Sequence, residues 1–293
     1  MLRYNGGTIT DYFTLSMPGL LPYSSAALLY AALAYVFWRA NWVPPANNTP
    51  ALGWRGAARL AILIPLVLHA WLLVANSWEG QALSIGVGNA VSGIIWLALV
   101  VYALSSVRQP VDALYAVILP VAAVAVLLPL LVPDRPVRLA TSPLLFAHLA
   151  VAFLAYALFT IAALHAGMMA LLEKRLHGHD MNRTPSNLPP LLTLEQLLFR
   201  IIGIGFVLLT LTLASGMLFS ERVFGKPFSF AHFTQHKTVF ALLSWLIYAG
   251  LLIGRKSYGW RGRTAIAWSL TGFAMLVLAY IGSKIVLQLL LGR

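Results

Sequence analysis

The sequence contains no cysteine among its 293 residues. This absence excludes disulfide bonds, thiol redox chemistry, iron–sulfur clusters and metal sites that use cysteine. Charged residues are also scarce, because they make up 10% of the chain whereas about a quarter is usual in a soluble domain. Hydrophobic residues make up 60%, and the mean hydropathy is +0.83. This composition predicts an integral membrane protein.

The chain also lacks the short motifs of hydrolases and nucleotide-using proteins. No GxSxG, HExxH or P-loop pattern occurs, so nothing supports hydrolysis or ATP use. The 20 Lys and Arg exceed the 8 Asp and Glu, which gives a net charge of +12. No soluble basic domain is present, so we interpret this excess as membrane topology and attraction to the lipid bilayer, and we expect no nucleic-acid partner.

Long apolar runs predict an all-α fold, a polytopic integral membrane helix bundle with about eight transmembrane helices. We expect a single transmembrane domain over residues 1–293, without a cleaved signal peptide and with its start at either Met1 or Met17. The expected helices are Leu20–Trp38, Ala57–Ala75, Ala82–Ser105, Asp112–Val132, Ser142–Leu172, Leu194–Phe219, Thr238–Gly254 and Thr264–Leu291.

The distribution of Lys and Arg predicts the orientation of this bundle. The loops after helices one, three, five and seven carry most of the cations, including Lys174, Arg175, Arg261 and Arg263. Cytoplasmic loops are enriched in Lys and Arg, so these loops are expected in the cytoplasm. Both termini are then on the outer (periplasmic) side.

Four histidines are expected in the outer half of the membrane or at its outer edge. His69 lies in the second predicted helix and His148 in the fifth, while His232 and His236 flank the start of the seventh. Ionisable residues inside a membrane are candidates for function, and a b-type haem takes axial imidazoles from facing helices. The other interpretation is that each histidine only forms a hydrogen bond across a helix interface.

The remaining histidines are expected elsewhere. His165 is seventeen residues after His148 on the same helix, which places it near the inner face and excludes a site shared with His148. His177 and His179 lie in a polar loop without a third metal ligand, and we interpret them as solvated.

Several segments of the second half resemble the cytochrome c assembly family of haem-handling membrane proteins (CcsA/CcmC-like), and most closely its short YpjD/HemX-like branch. The resemblance is strongest over residues 146–282. The segments that carry it are His148–Tyr156, Pro189–Glu195, His236–Ala249, Gly259–Arg263 and Ala279–Gly282.

The resemblance implies a multi-pass protein of the bacterial inner (plasma) membrane that holds haem for cytochrome c assembly. His148 matches an outer-face histidine that is an axial ligand in the haem-delivering members. The tryptophan-rich outer segment of that family is replaced here by Phe233–Phe240, so the second ligand would be His236 or His69. Haem and other cytochrome c assembly membrane proteins are the implied partners.

The sequence thus favours a haem-binding accessory protein without enzymatic turnover, with His148 and His236 as the first candidates for the haem iron and His69 and His232 as further ones. A cofactor-free scaffold or regulator of the HemX-like type, which contacts partners through its cytoplasmic loops, is the alternative. A small-solute transporter is the weakest hypothesis, because neither charged midplane residues nor paired broken helices are evident.

Overall fold

A computed structural model describes most of the chain. The described residues are 19–43, 53–79, 82–107, 112–132, 137–139, 143–177, 190–218 and 236–282. His179 and His232 lie in the segments 178–189 and 219–235, which are outside this set.

Eight helical segments within the described residues are long and apolar enough to cross a membrane. The expected membrane helix bundle is therefore confirmed, and the protein is a multi-pass membrane protein. Spans 1 to 8 are, in order, Leu20–Trp42, Gly56–Ser77, Val87–Ser106, Asp112–Leu131, Pro143–Lys174, Leu191–Met217, Lys237–Tyr258 and Gly262–Tyr280.

Two spans consist of consecutive shorter helices. Span 2 is formed by most of the helix Gly53–Ala61, which begins three residues before the span, and by the helix Leu63–Ser77. Span 4 comprises the 3-10 turn Asp112–Leu114 followed by Tyr115–Ala125 and Leu128–Leu131. Pro65 and Pro129 lie in the first turns of the restarted helices, where the missing N–H of proline is tolerated.

The other spans are single helices, and the last one ends in a π-helical turn. Their bounds are Leu20–Trp42, Val87–Ser106, Pro143–His177, Leu191–Leu218, His236–Tyr258 and Gly262–Val277, with the π-helical turn at Leu278–Gly282.

A small antiparallel sheet was not expected from the sequence. Strands β1 (Trp78–Glu79), β2 (Ala82–Ile85) and β3 (Val137–Leu139) pair in that order. The predicted start of the third helix at Ala82 is therefore wrong, because Gly86 is extended and the helix begins at Val87. This sheet joins the loops after spans 2 and 4, and the end of the bundle that carries it is called the sheet end below.

The spans pack as two halves, spans 1–4 and spans 5–8. Span 1 packs on span 4, span 5 on span 6, and span 7 on span 8. Span 5 also contacts spans 3, 4 and 8, so it connects the two halves. Because span 5 begins four residues after β3, its first turn lies at the sheet end with the end of span 2 and the start of span 3.

Candidate functional site

His148 packs against span 6 near the sheet end. Its Nδ1 lies 2.8 Å from the hydroxyl oxygen of Ser215, and Ser215 also donates a hydrogen bond to the Thr212 carbonyl at 3.0 Å. A serine hydroxyl carries a single hydrogen. If that hydrogen is used for the Thr212 carbonyl, the serine oxygen must accept from His148, and the proton of the imidazole is then on Nδ1.

The surface of span 6 lets the imidazole lie close to it. Gly216 follows Ser215, and a Cβ atom added at Gly216 would be 3.6 Å from the His148 Cε1 atom. The half-buried ring thus lies beside Gly216 with ordinary van der Waals room for a methyl group. The hydrogen bond to Ser215 is therefore a contact that orients the ring.

This arrangement suits an imidazole that coordinates haem iron. In a histidine that ligates a metal, the N–H of the second ring nitrogen usually donates a hydrogen bond to a protein acceptor. This bond fixes the tautomer and the ring orientation. With Nδ1–H held by Ser215, Nε2 is the ring atom that would bind iron. The residues at His148 therefore fit a haem ligand.

His69 has a different environment within spans 1–3. Its side chain is 1% exposed, and its Nε2 and Nδ1 lie 2.8 Å from Ser92 Oγ and 3.4 Å from Tyr30 Oη. The Tyr30 ring also meets the imidazole edge to face, with centroids 5.8 Å apart. Both ring nitrogens therefore have partners, and His69 joins three spans.

The contacts of span 3 show that His69 and His148 lie at different depths. His69 is level with Ser92, and a Cβ atom added at the next residue, Gly93, would be 3.7 Å from the Phe153 ring. His148 precedes Phe153 by five residues, which is about 8 Å along a helix. His148 is thus about one and a half turns closer to the sheet end than His69.

His165 lies at the other end of the span 5–6 pair, as expected. It is fully buried, and its Nε2 donates to the Leu194 carbonyl at 2.8 Å. Its Nδ1 is buried without a hydrogen-bond partner among the described residues. Because Leu194 is near the start of span 6 and Ser215 near its end, His165 and His148 cannot share a site.

The other two predicted ligands are only partly defined. His232 lies outside the described residues, and His236 begins the helix of span 7 with a side chain that is also outside them. Contacts at Glu195–Arg255 and Thr210–Trp245 show that spans 6 and 7 are antiparallel. Continuing this register brings the start of span 7, and with it the His236 backbone, to the sheet end.

The centre of spans 5–8 is filled by a stack that we call the ring column. A Cβ atom at Gly205 would be 3.2 Å from the Phe159 ring, Phe159 stacks on Tyr248 with centroids 4.0 Å apart, and a Cβ at Gly272 would be 2.8 Å from Tyr248. Each ring is fully buried. A planar cofactor would therefore have to lie nearer the ends of this half than its centre.

Two buried acids are functional candidates that the sequence interpretation did not single out. Asp112 accepts two hydrogen bonds of 2.8 Å from Arg59, and Glu195 accepts from Arg255. A carboxylate in an apolar helix requires a cation, so a search for such pairs was the available signal. In the described part of the chain, no three His, Asp or Glu side chains group together as a metal site.

Comparisons with known proteins identify the family of this chain. The sequence profile described as cytochrome C assembly protein matches residues 56–291. The chain belongs to the cytochrome C assembly protein family. The resemblance inferred from the sequence is thus confirmed, and it extends further toward the N-terminus than residue 146, where we expected its strongest part to begin.

Relatives of this family member include the inner membrane protein YpjD of Escherichia coli K12. The two chains are 32% identical over 244 residues, which cover 81% of this chain and 89% of the relative. The cytochrome c biogenesis protein CcsA of Synechocystis is 31% identical over 118 residues, 40% of this chain and 34% of the relative. CcsA of Thermosynechococcus vestitus is 36% identical over 90 residues, 31% of this chain and 27% of the relative.

Proposed function

We propose that this cytochrome C assembly family member is a haem-binding protein of the bacterial inner membrane that acts in cytochrome c assembly, with His148 as an axial ligand of haem b. Membership of the family supports a role in cytochrome c assembly. The hydrogen bonds that connect His148, Ser215 and Thr212 support His148 as the axial ligand. The name of the YpjD relative supports the inner membrane. We infer that its partners are haem and other cytochrome c assembly membrane proteins and that it has no turnover of its own.

The residues around His148 would position and hold the cofactor. Haem supplies an iron that accepts axial nitrogen ligands and a macrocycle with acidic propionates. Ser215 would hold the His148 proton on Nδ1, so that Nε2 is the ring nitrogen that would bind iron. The sheet end faces the periplasm by the charge rule, because the turn between spans 7 and 8, at the opposite end, carries Arg261 and Arg263.

His236 is the second ligand that we favour over His69. The antiparallel contacts of spans 6 and 7 bring its backbone to the end where His148 lies. To ligate iron, His69 would have to lose its bond to Ser92 or Tyr30, and it lies about 8 Å deeper than His148. His232 precedes His236 by four residues and is a further candidate.

The test is an absorption spectrum of the full-length protein in detergent, oxidised and reduced, after haem is supplied. We expect a low-spin bis-histidine spectrum in the wild type and its loss in His148→Ala. His236→Ala should convert the spectrum to a high-spin form, whereas His165→Gln, a histidine change at the far end of span 5, should leave it unchanged. A wild type that stays colourless would refute the haem proposal.

A cofactor-free scaffold is the second candidate, and one observation favours it. His69, His148 and His165 all have hydrogen-bond partners in the protein, as expected of residues that join helices. In that case alanine at these histidines would change the stability of the protein, and neither the wild type nor the variants would show a haem spectrum. Association with partners would then depend on the cytoplasmic loops.

A further inference from the structure

The turn between spans 7 and 8 has a fixed shape. The Trp260 N–H donates to the Gly254 carbonyl at 3.2 Å, and Arg255 donates to the Trp260 carbonyl at 3.3 Å. Gly259 and Gly262 have φ angles of +67° and +54°, which favour glycine. The backbone of the turn is therefore fixed by hydrogen bonds to the end of span 7.

Glu195 attaches this turn to span 6. Its carboxylate accepts from Arg255, accepts from the Gly262 N–H at 3.4 Å, and lies 3.8 Å from the Arg261 Nε. Glu195 and Arg255 are mostly buried, so their charges largely balance inside the protein.

Three other cations at the turn remain exposed. We call Lys256, Arg261 and Arg263 the basic turn, and all three side chains are exposed to solvent. The only acid that any described contact places at this turn is Glu195, which is already paired with Arg255. A ligand for the basic turn should therefore be an anion.

The surroundings of the basic turn are apolar and face outward. Ile253 is 60% exposed on span 7, Leu270 is 39% exposed on span 8, and the Tyr258 ring beside the turn is 77% exposed. Tyrosine is enriched where a membrane helix meets the headgroup layer. Exposed apolar side chains thus lie on both of the spans that the basic turn connects.

We propose that the basic turn binds the headgroup phosphate of an anionic phospholipid, whose acyl chains lie against the exposed apolar side chains of spans 7 and 8. Clusters of Lys and Arg at the ends of membrane helices attract anionic lipids. An acidic peptide could match the cations but not the adjacent hydrocarbon surface, so the lipid fits both features. This site is independent of haem binding at the sheet end.

The test is native mass spectrometry of the full-length protein in detergent, titrated with phosphatidylglycerol or with phosphatidylcholine of the same acyl chains. The variant is Lys256→Gln/Arg263→Gln, which leaves Arg261 beside Glu195. Each cation near a membrane surface contributes about fivefold in binding, so the double variant should bind phosphatidylglycerol about thirtyfold more weakly. Phosphatidylcholine should bind weakly to both proteins.

Two matched variants separate a site from general charge attraction. Arg39→Gln/Lys174→Gln removes two exposed cations elsewhere, and it should retain the wild-type affinity. Lys256→Arg/Arg263→Lys keeps the charges and should also retain it. Inorganic phosphate at the same concentration should not displace the lipid, because it has no acyl chains.

Four results would overturn the proposal. They are equal losses in the two charge-removing variants, equal binding of the two lipids by the wild type, displacement by inorganic phosphate, and unchanged lipid binding together with the loss of a co-purified protein. The last result would assign the basic turn to a protein partner. None of them depends on whether the wild type binds haem.

Discussion

Replacement of Ser215 by alanine tests the assignment of the His148 tautomer. The Ser215 hydroxyl oxygen lies 2.8 Å from the His148 Nδ1 atom, and the same hydroxyl donates to the Thr212 carbonyl at 3.0 Å. Alanine removes this acceptor without adding volume. The imidazole then loses the bond that would hold its proton on Nδ1 and keep Nε2 as the ring nitrogen for iron.

The size of the effect follows from the kind of bond that is lost. Removing the hydrogen-bond partner of a ligating histidine lowers metal affinity by about 10–100-fold. A single bond between neutral groups contributes about 1 kcal/mol, so we expect the lower part of this range, about tenfold in the dissociation constant of haem. The expected change is about 1.4 kcal/mol of binding free energy.

The assay is a titration of the haem-free, full-length protein in detergent, followed at the Soret band. Ser215→Thr keeps the hydroxyl and should bind haem like the wild type. Thr271→Ala is a matched control, because its hydroxyl bonds to the Ala267 carbonyl at 2.9 Å on the exposed face of span 8. Wild-type affinity in Ser215→Ala would refute the tautomer argument, although haem binding itself would stand.

Two stability predictions follow from the packing and the buried charges. Gly272→Ala places a methyl group 2.8 Å from the Tyr248 ring, whereas Gly203→Ala meets nothing within 4 Å. In SDS titrations, the unfolding free energy of Gly272→Ala should be about 1–3 kcal/mol lower than that of Gly203→Ala. Equal values would contradict the close packing of Gly272 against Tyr248. Asp112→Asn should lower the free energy of unfolding by about 1–3 kcal/mol, which is less than for a fully buried pair because Arg59 is 33% exposed. If the effects of Asp112→Asn and Arg59→Gln are strictly additive in the double variant, the two residues do not interact energetically.

The spans were predictable because each is a long apolar run. Leu20–Trp38 and Asp112–Val132 were placed within a few residues of the structure, since hydrocarbon allows only regular helix at such lengths. Strand β2 was not predictable in this way. Its four residues, with Ser84 as the single polar one, continue directly into the apolar run of span 3, so the sequence reads as a helix start. Only the pairing of Ala82–Ile85 with β1 and β3 makes it a strand.

The candidate site was predictable in its residue types and less so in its contacts. A histidine in an apolar helix is visible in the sequence, and His148 was selected for that reason. Ser215 was not predicted as its partner, because the two residues are 67 positions apart in the sequence and spacing does not reveal their contact. His69 illustrates the opposite case, since its partners Tyr30 and Ser92 come from separate spans and show a role in joining helices that spacing alone does not reveal.

The ring column has a consequence for how this sequence can vary among its relatives. Its four positions, 205, 159, 248 and 272, belong to four different spans, and each glycine is adjacent to an aromatic ring that leaves no room for a methyl group without movement. A larger residue at position 272 therefore requires a smaller one at 248, and the same relation holds between 205 and 159. Substitutions at these pairs should occur together across homologues, so an alignment would show them as covarying contacts between distant parts of the chain.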